Sequence, residues 1–263
     1  MKKFFVIVLA AVLAVCALFG TGCAQGAATA ELKLGTSADY PPFEFIVLDD
    51  QNQQQYVGID ISVAKQICAD QSKELKVMNM DFDSLMAALQ KGDVDFAIAA
   101  IEADEERKEA ADFSDPYYTD LPPMILVKAD KAAEYTSVES FSGKAVGAQT
   151  GTTKADIVSN DLSGANLVAL TSVTDLVNQL VYDKVDAIVL DGAVAEQYAE
   201  SNADLVVASV SLGEASPYCV AVQKGDPKNL LPGINATIAK LLANDSITAF
   251  AAEADALSDQ AIE

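Results

Sequence analysis

The chain has 263 residues, 51% of them apolar and 21% charged, a balance that supports a packed core and excludes wholesale disorder. Its 17 Lys and Arg stand against 39 Asp and Glu, a formal charge of -22 that repels nucleic acid and anionic lipid surfaces. No histidine occurs, which removes Ser-His-Asp and Cys-His nucleophilic machinery, the commonest general base and the usual zinc ligand, and so disfavours a hydrolase.

In chain order, Met1-Lys2-Lys3 is a short basic start to an apolar run from Phe4 to Phe19 that is too short for a comfortable membrane span. That is the pattern of a secretory signal peptide. Gly20-Thr21-Gly22 then leads into Cys23, the arrangement of a bacterial lipobox in which the thiol is acylated, and Ala24 to Ala30 reads as a tether. Gly20 stands where lipoboxes usually carry an aliphatic residue, so ordinary cleavage near Ala28 or Ala30, giving a soluble secreted protein, stays open. The expected divisions are a signal peptide over 1–22 and a lipid-anchored tether over 23–30, on an exported protein held at the outer face of the cytoplasmic membrane. Cys68 and Cys219 could pair in such a protein or lie buried as thiols. Neither a metal site nor a cofactor is expected.

Short apolar strands alternate with amphipathic helices beyond this point, which argues for an α/β fold with mainly parallel sheets. Leu32 to Thr36 reads as a first strand. Asp60 is expected to cap a helix running to about Asp70, with Ile61, Ala64, Ile67 and Cys68 on one face. Leu75 to Met80 is a second strand, Asp83 is expected to cap a helix stopped by Gly92, and Val94 to Ala100 is a third strand. The second half repeats this last unit: Leu85 aligns with Leu176, Leu89 with Leu180 and Asp95 with Asp186, a constant offset of 91 residues. Lys33-Leu34-Gly35-Thr36 similarly echoes Ala145-Val146-Gly147-Ala148. Two α/β lobes of common plan follow. Ligands of open α/β sheets sit beyond the carboxyl ends of the strands, which points to Thr36-Ser37, Ala99 to Glu102, Thr150 to Thr153 and Leu190-Asp191 as the lining of a shared cleft.

Several of these segments, in order, resemble the polar amino-acid-binding proteins of ABC importers, the family 3 extracellular solute-binding proteins. They are Gly35-Thr36-Ser37-Ala38-Asp39-Tyr40-Pro41-Pro42-Phe43-Glu44-Phe45, Val57 to Ile61, Asp81 to Leu85, Glu105 to Lys108, Asp112 to Tyr118, Gly147 with Gly151-Thr152-Thr153, and Val185 to Asp191. The resemblance covers roughly residues 31–245. It implies a two-lobe, type II periplasmic-binding-protein-like Venus flytrap, each lobe a mainly parallel sheet flanked by helices. Two hinge strands, around Tyr117 to Leu126 and Ser216 to Val222, would join lobe one (31–121 and 218–263) to lobe two (122–217).

It also implies a site for a free polar L-amino acid. A zwitterion's two charges are costly to bury unless each is paired and hydrogen-bonded. Arg107 matches the family's carboxylate-binding arginine, whose planar fork suits a carboxylate; composition alone would read Glu105 to Glu109 as a solvated helix face. Asp191 matches the ammonium-binding aspartate, although it could equally cap a helix beginning near Ala193. Thr153 and the amide of Thr152 would add donors at a helix N-terminus, against an alternative of ordinary capping. Tyr40 and Phe82 match aromatics that flank the ligand side chain, with core packing as their alternative, and Ser37 matches a specificity position. Asp186, twin of Asp95, reads as structural.

Two departures stand out. Ala100-Ile101-Glu102-Ala103-Asp104 replaces a run of hydroxyls, so Glu102 either turns its side chain away and offers its backbone N–H or faces a cationic ligand group. Leu121-Pro122-Pro123 stiffens a hinge segment that usually carries small polar residues. Glu44, Glu102 and Asp39, with no second basic residue foreseen near the pocket, lean toward arginine, lysine or ornithine as the ligand. The implied partners are ABC permease and ATPase subunits, with the protein a lipid-anchored monomer rather than an enzyme. The alternatives are an exported cyclohexadienyl- or arogenate-dehydratase-like enzyme on the same scaffold, in which Glu102 is the candidate acid, and a ligand-sensing receptor subunit.

Overall fold

A computed structural model describes residues 30–262. The expected signal peptide, and Cys23 with nearly all of its tether, lie outside those residues. The first sheet is built on β1 (Glu31–Thr36), which pairs in parallel with β4 (Glu74–Asn79) and with β5 (Phe96–Ala97). Two antiparallel strands complete it, β14 (Ala221–Gln223) on β5 and β6 (Ala111–Phe113) on β14, giving the order β4-β1-β5-β14-β6. A hairpin of β2 (Phe45–Leu48) and β3 (Gln54–Val57) follows β1.

Strand alternation distributes the helices. Phe96 packs in one cluster with Leu32, Leu34 and the Ile61, Ala64, Ile67 and Cys68 stripe of α1 (Ile59–Asp70). Its neighbour Ala97 packs in another, with Leu85 and Leu89 of α2 (Leu85–Lys91). Successive residues of a strand point to opposite faces, so the two helices are held by alternate side chains of one short strand. Each fully buried isoleucine or leucine here contributes about 1.5–3 kcal/mol relative to exposure.

The second sheet also has five strands. Its parallel core is β9 (Ala145–Gln149), β10 (Asn166–Leu170) and β11 (Ala187–Leu190), with β8 (Met124–Lys128) antiparallel to β11 and β12 (Leu205–Val207) antiparallel to β8. Its helices are α4 (Thr153–Asn160), α5 (Val173–Val181) and α6 (Gly192–Ser201). Between the sheets run β7 (Tyr118–Thr119) and β13 (Pro217–Tyr218), an antiparallel ribbon. Phe43 meets its two tyrosines edge-on, with centroids 5.3 Å from Tyr118 and 5.2 Å from Tyr218. A short helix α3 (Glu105–Ala110) precedes β6, and α7 (Leu231–Ala243) and α8 (Ser246–Ser258) close the chain.

The repeat seen in the sequence is a repeat of contacts. Asp95 accepts from the Lys33 amide at 2.6 Å, and Asp186 accepts from the Ala145 amide at 2.9 Å, so each carboxylate ties the turn before a strand to the parallel strand beside it. A Cβ at Gly35 would lie 3.2 Å from Leu85, and one at Gly147 2.9 Å from Leu176, the matching leucine 91 residues on. In both lobes a glycine lets the helix rest directly on the strand. Gly92 ends α2 in the left-handed conformation, as the sequence leads one to expect.

Three local expectations are corrected. Asp60 caps nothing: it lies inside the first turn of α1, fully buried, accepting from the Tyr117 hydroxyl at 2.6 Å and the Ala100 amide at 2.7 Å. Asp83 is likewise no cap, because a 3-10 turn over Phe82–Ser84 precedes α2. The strand expected to reach Ala100 ends at Ala97, since the pull of Asp60 turns the chain and holds Ala100 at φ 46. That left-handed conformation costs a non-glycine residue on the order of 1–3 kcal/mol. Cys68 and Cys219 are both buried free thiols, which settles the choice left open by the sequence.

Candidate functional site

One cavity at the carboxyl ends of the strands brings together all nine site residues expected from the sequence: Ser37, Tyr40, Phe82, Ala100, Glu102, Arg107, Thr152, Thr153 and Asp191. Glu44, Ala99, Gln149 and Lys154 complete its lining. Its free volume is about 10 Å³, room for about one water molecule.

Arg107 is the only arginine in the sequence. Asp104 caps α3 by accepting from the Arg107 amide at 2.7 Å and brings its other oxygen within 3.4 Å of Nε, which orients the side chain. The guanidinium then donates to the Glu102 carbonyl at 2.9 Å and, across the cleft, to the Gly151 carbonyl at 3.0 Å. Its plane lies over the Phe82 ring, 5.3 Å from the centroid. Phe82 is therefore half-buried, with a cation over its ring and the edge of the Leu85, Leu89 and Ala97 cluster packed against it. Of the charged run 105–109, the Lys108–Glu105 pair at 2.8 Å is the solvated helix face that composition suggests.

Asp191 occupies the N-cap position of α6 without capping it. One oxygen accepts from the Tyr40 hydroxyl at 2.8 Å, and the other lies 2.5 Å from the Lys154 ammonium. Tyr40 also accepts from the Asp191 amide at 3.0 Å. Burial first, then the Asp191 charge, push Tyr40 well above the ordinary tyrosine value, so it stays a neutral donor.

Lys154 is what sequence reasoning missed. Lys154, Glu102 and Asp191 are only 5%, 6% and 5% exposed. The ammonium is 3.2 Å from Glu102 and 3.2 Å from the Thr153 hydroxyl, which itself donates to the second Glu102 oxygen. Burial works against its charge, but Asp191 and Glu102 outweigh burial and hold Lys154 above the ordinary lysine value. Glu102 thus faces neither solvent nor an outside cation: an internal ammonium from the opposite lobe answers it. The expectation of no second basic residue near the pocket is corrected by the same residue. A signal was available, because a lysine in the first turn of a helix opposes the helix dipole and needs anionic partners.

Thr152 caps α4, accepting from the Ala155 amide, and donates to the Gln149 carbonyl at 2.7 Å. Ser37 reaches Asp39 at 3.4 Å. Asp39 itself does not line the cavity. It accepts from the Val173 amide at 2.7 Å, capping α5 from the other lobe, and burial above all raises it to about 6. Beneath Tyr40, Glu44 is buried with Oε2 unpartnered. Burial and the neighbouring Asp60, with which it shares a hydrogen bond, hold its proton well above the usual carboxylate range. Asp60 is raised to about 6, mainly by burial, opposed by Tyr117, Ala100 and Glu44.

A model of the bacterial extracellular solute-binding proteins, family 3, matches residues 32–253. The arginine-binding extracellular protein ArtP of Bacillus subtilis is 34% identical over 212 residues, covering 78% of this chain and 79% of its own. The ABC transporter arginine-binding protein 1 of Escherichia coli is 28% identical over 247 residues, covering 93% and 95%. Among solved structures, the amino acid ABC transporter substrate-binding protein AbpA of Streptococcus pneumoniae bound to L-arginine superposes with a TM-score of 0.83 at 32% identity, covering 87% of this chain and 95% of that one.

Proposed function

The chain belongs to the bacterial extracellular solute-binding proteins, family 3, which are binding proteins and not enzymes, and we propose that it captures a basic L-amino acid and delivers it to an ABC permease. The observation that carries this reading is one cavity lined by a lone arginine from one lobe and a buried aspartate from the other.

Arg107 takes the ligand α-carboxylate as a bidentate fork, with donors from Thr152 and Thr153 at the start of α4. Asp191 takes the α-ammonium. Tyr40 and Phe82 flank the aliphatic stem, and Ser37 lies alongside. The lean toward arginine, lysine or ornithine rests on Glu44, a cavity-lining carboxyl with one unpartnered oxygen, and on the arginine bound by relatives. It no longer draws on Asp39, which lies outside the cavity, nor on Glu102, which is engaged by Lys154. Because the two anchoring charges come from opposite lobes, an amino acid between them favours the closed state, and differential binding of this kind is what drives closure.

In the same reading, lobe one takes residues 31–121 and 218–263 and lobe two 122–217, with hinge bending at the crossings beside Pro122 and Pro123. The protein is exported by its signal peptide, acylated at Cys23 and acts as a monomer at the outer face of the cytoplasmic membrane.

A thermal-shift screen of the twenty L-amino acids and ornithine tests the core of it. A ligand that binds only the folded cleft stabilises by about 2.7 kcal/mol at a hundredfold excess over Kd. Arginine, lysine or ornithine is expected to give the largest rise in melting temperature; a flat response to the whole panel contradicts the reading.

A further inference from the structure

Lys154 places its ammonium in the position an amino acid's own ammonium needs. It is 2.5 Å from Asp191, 3.2 Å from Glu102 and 3.2 Å from the Thr153 hydroxyl, an arrangement of one cation among two carboxylates and a hydroxyl. The set is buried, and the remaining free volume is about 10 Å³. Two ammonium groups cannot share one Asp191 oxygen at that depth, because like charges repel most strongly where water is excluded. The side chain enters from α4, the helix whose first residues flank the carboxylate end of the cavity.

We propose that Lys154 is a tethered competitor for the ammonium subsite, and that ligand capture exchanges its side chain for the ligand ammonium on Asp191 and Glu102. This rests on the amino-acid-binding reading above and adds a selection rule to it. The exchange trades one ammonium for another and gains little by itself. A ligand therefore wins only through its other anchors, the carboxylate on Arg107 and the side chain toward Glu44. Lys154 sets a threshold that excludes amines lacking those anchors and keeps the buried carboxylates paired, which a bare pair facing each other would not be.

The experiment is a binding cycle by calorimetry on the folded chain. Its ligands are L-arginine and 5-guanidinopentanoate, which is arginine without the α-ammonium, and its proteins are wild type, Lys154→Met and Lys154→Gln. In the wild type, losing the ligand ammonium is expected to weaken binding less than tenfold, because Lys154 already serves that subsite. In both variants arginine is expected to bind at least tenfold tighter than to wild type, and deletion of the ligand ammonium to cost at least tenfold more than it does there; such a difference is an interaction energy between the two ammonium groups. Should Lys154→Met fail to melt cooperatively, Lys154→Gln keeps hydrogen-bonding capacity at the site. A wild-type measurement stands apart from both: acetic anhydride labelling of Lys154 is expected to rise at saturating L-arginine.

Equal or weaker arginine binding by a folded variant, with the ammonium deletion costing the same in all proteins, overturns the exchange while leaving the binding function intact. Falling label at Lys154 with bound arginine overturns it too. If only the variants bind arginine, the exchange is supported in its strongest form. Binding of neither ligand by any of the three proteins overturns the exchange and the basic-amino-acid reading together.

Discussion

At the scale of single residues, the site depends on one guanidinium. Replacing Arg107 with alanine is expected to weaken binding of the screened amino acid by about 2–5 kcal/mol, since it leaves a buried carboxylate unpaired. A loss below tenfold in a calorimetric titration contradicts that role. Glu44 carries a pH dependence whose sign is fixed by its raised proton affinity. A ligand cation favours the ionised form, so affinity for a basic amino acid is expected to rise with pH above the ordinary carboxylate range and to fall on acidification. Glu44→Gln is expected to flatten that profile, and an unchanged slope in the variant contradicts the assignment. Six of the nine expected lining residues, Ser37, Ala100, Glu102, Thr152, Thr153 and Asp191, were legible because they sit at the strand ends that an open α/β sheet turns toward its ligand, whereas Arg107, Tyr40 and Phe82 were legible only through the family resemblance. Lys154 was legible only as a cation in need of anionic partners, because those partners lie 52 residues before and 37 residues after it, at Glu102 and Asp191. The same holds for the Glu44–Asp60 pair: nothing local in either segment announces that the two are hydrogen-bonded.

Among the elements, the repeated strand–helix unit makes a paired prediction. Gly147→Ala sets a methyl 2.9 Å from Leu176, tighter than the 3.2 Å that Gly35→Ala would meet at Leu85. Overpacking of this kind costs about 1–3 kcal/mol, so chemical denaturation is expected to show both variants destabilised and Gly147→Ala the more so. The reverse order contradicts the packing argument. Helices with an apolar stripe and a glycine stop, such as α2, could be read from the sequence because their signals are local. β5 could not be bounded, because a side chain 40 residues earlier captures the Ala100 amide and bends the strand. The hinge was read as two long strands, and only the short β7–β13 ribbon crosses between the sheets, with Pro122 and Pro123 denying amides to any extension of β7.

For the molecule as a whole, acidity shapes stability. Asp39, Asp60 and Asp120 are each raised to about 6, in every case chiefly by burial. Between the unfolded carboxylate value near 4 and 6 they bind more protons folded than unfolded, so stability falls as pH rises through that window and is flat for these groups above it. Self-repulsion at a formal charge of -22 acts in the same direction. The melting temperature is therefore expected to be higher at pH 4.5 than at pH 7, and a higher value at pH 7 contradicts the burial argument. The claim that unites site and fold is that an amino acid is held between charges contributed by the two lobes. A crystal structure grown with saturating L-arginine tests it most directly. The account predicts the α-carboxylate on the Arg107 guanidinium, the α-ammonium on Asp191 and the Lys154 side chain withdrawn from it; arginine bound anywhere outside this cavity, or inside it touching neither residue, contradicts it.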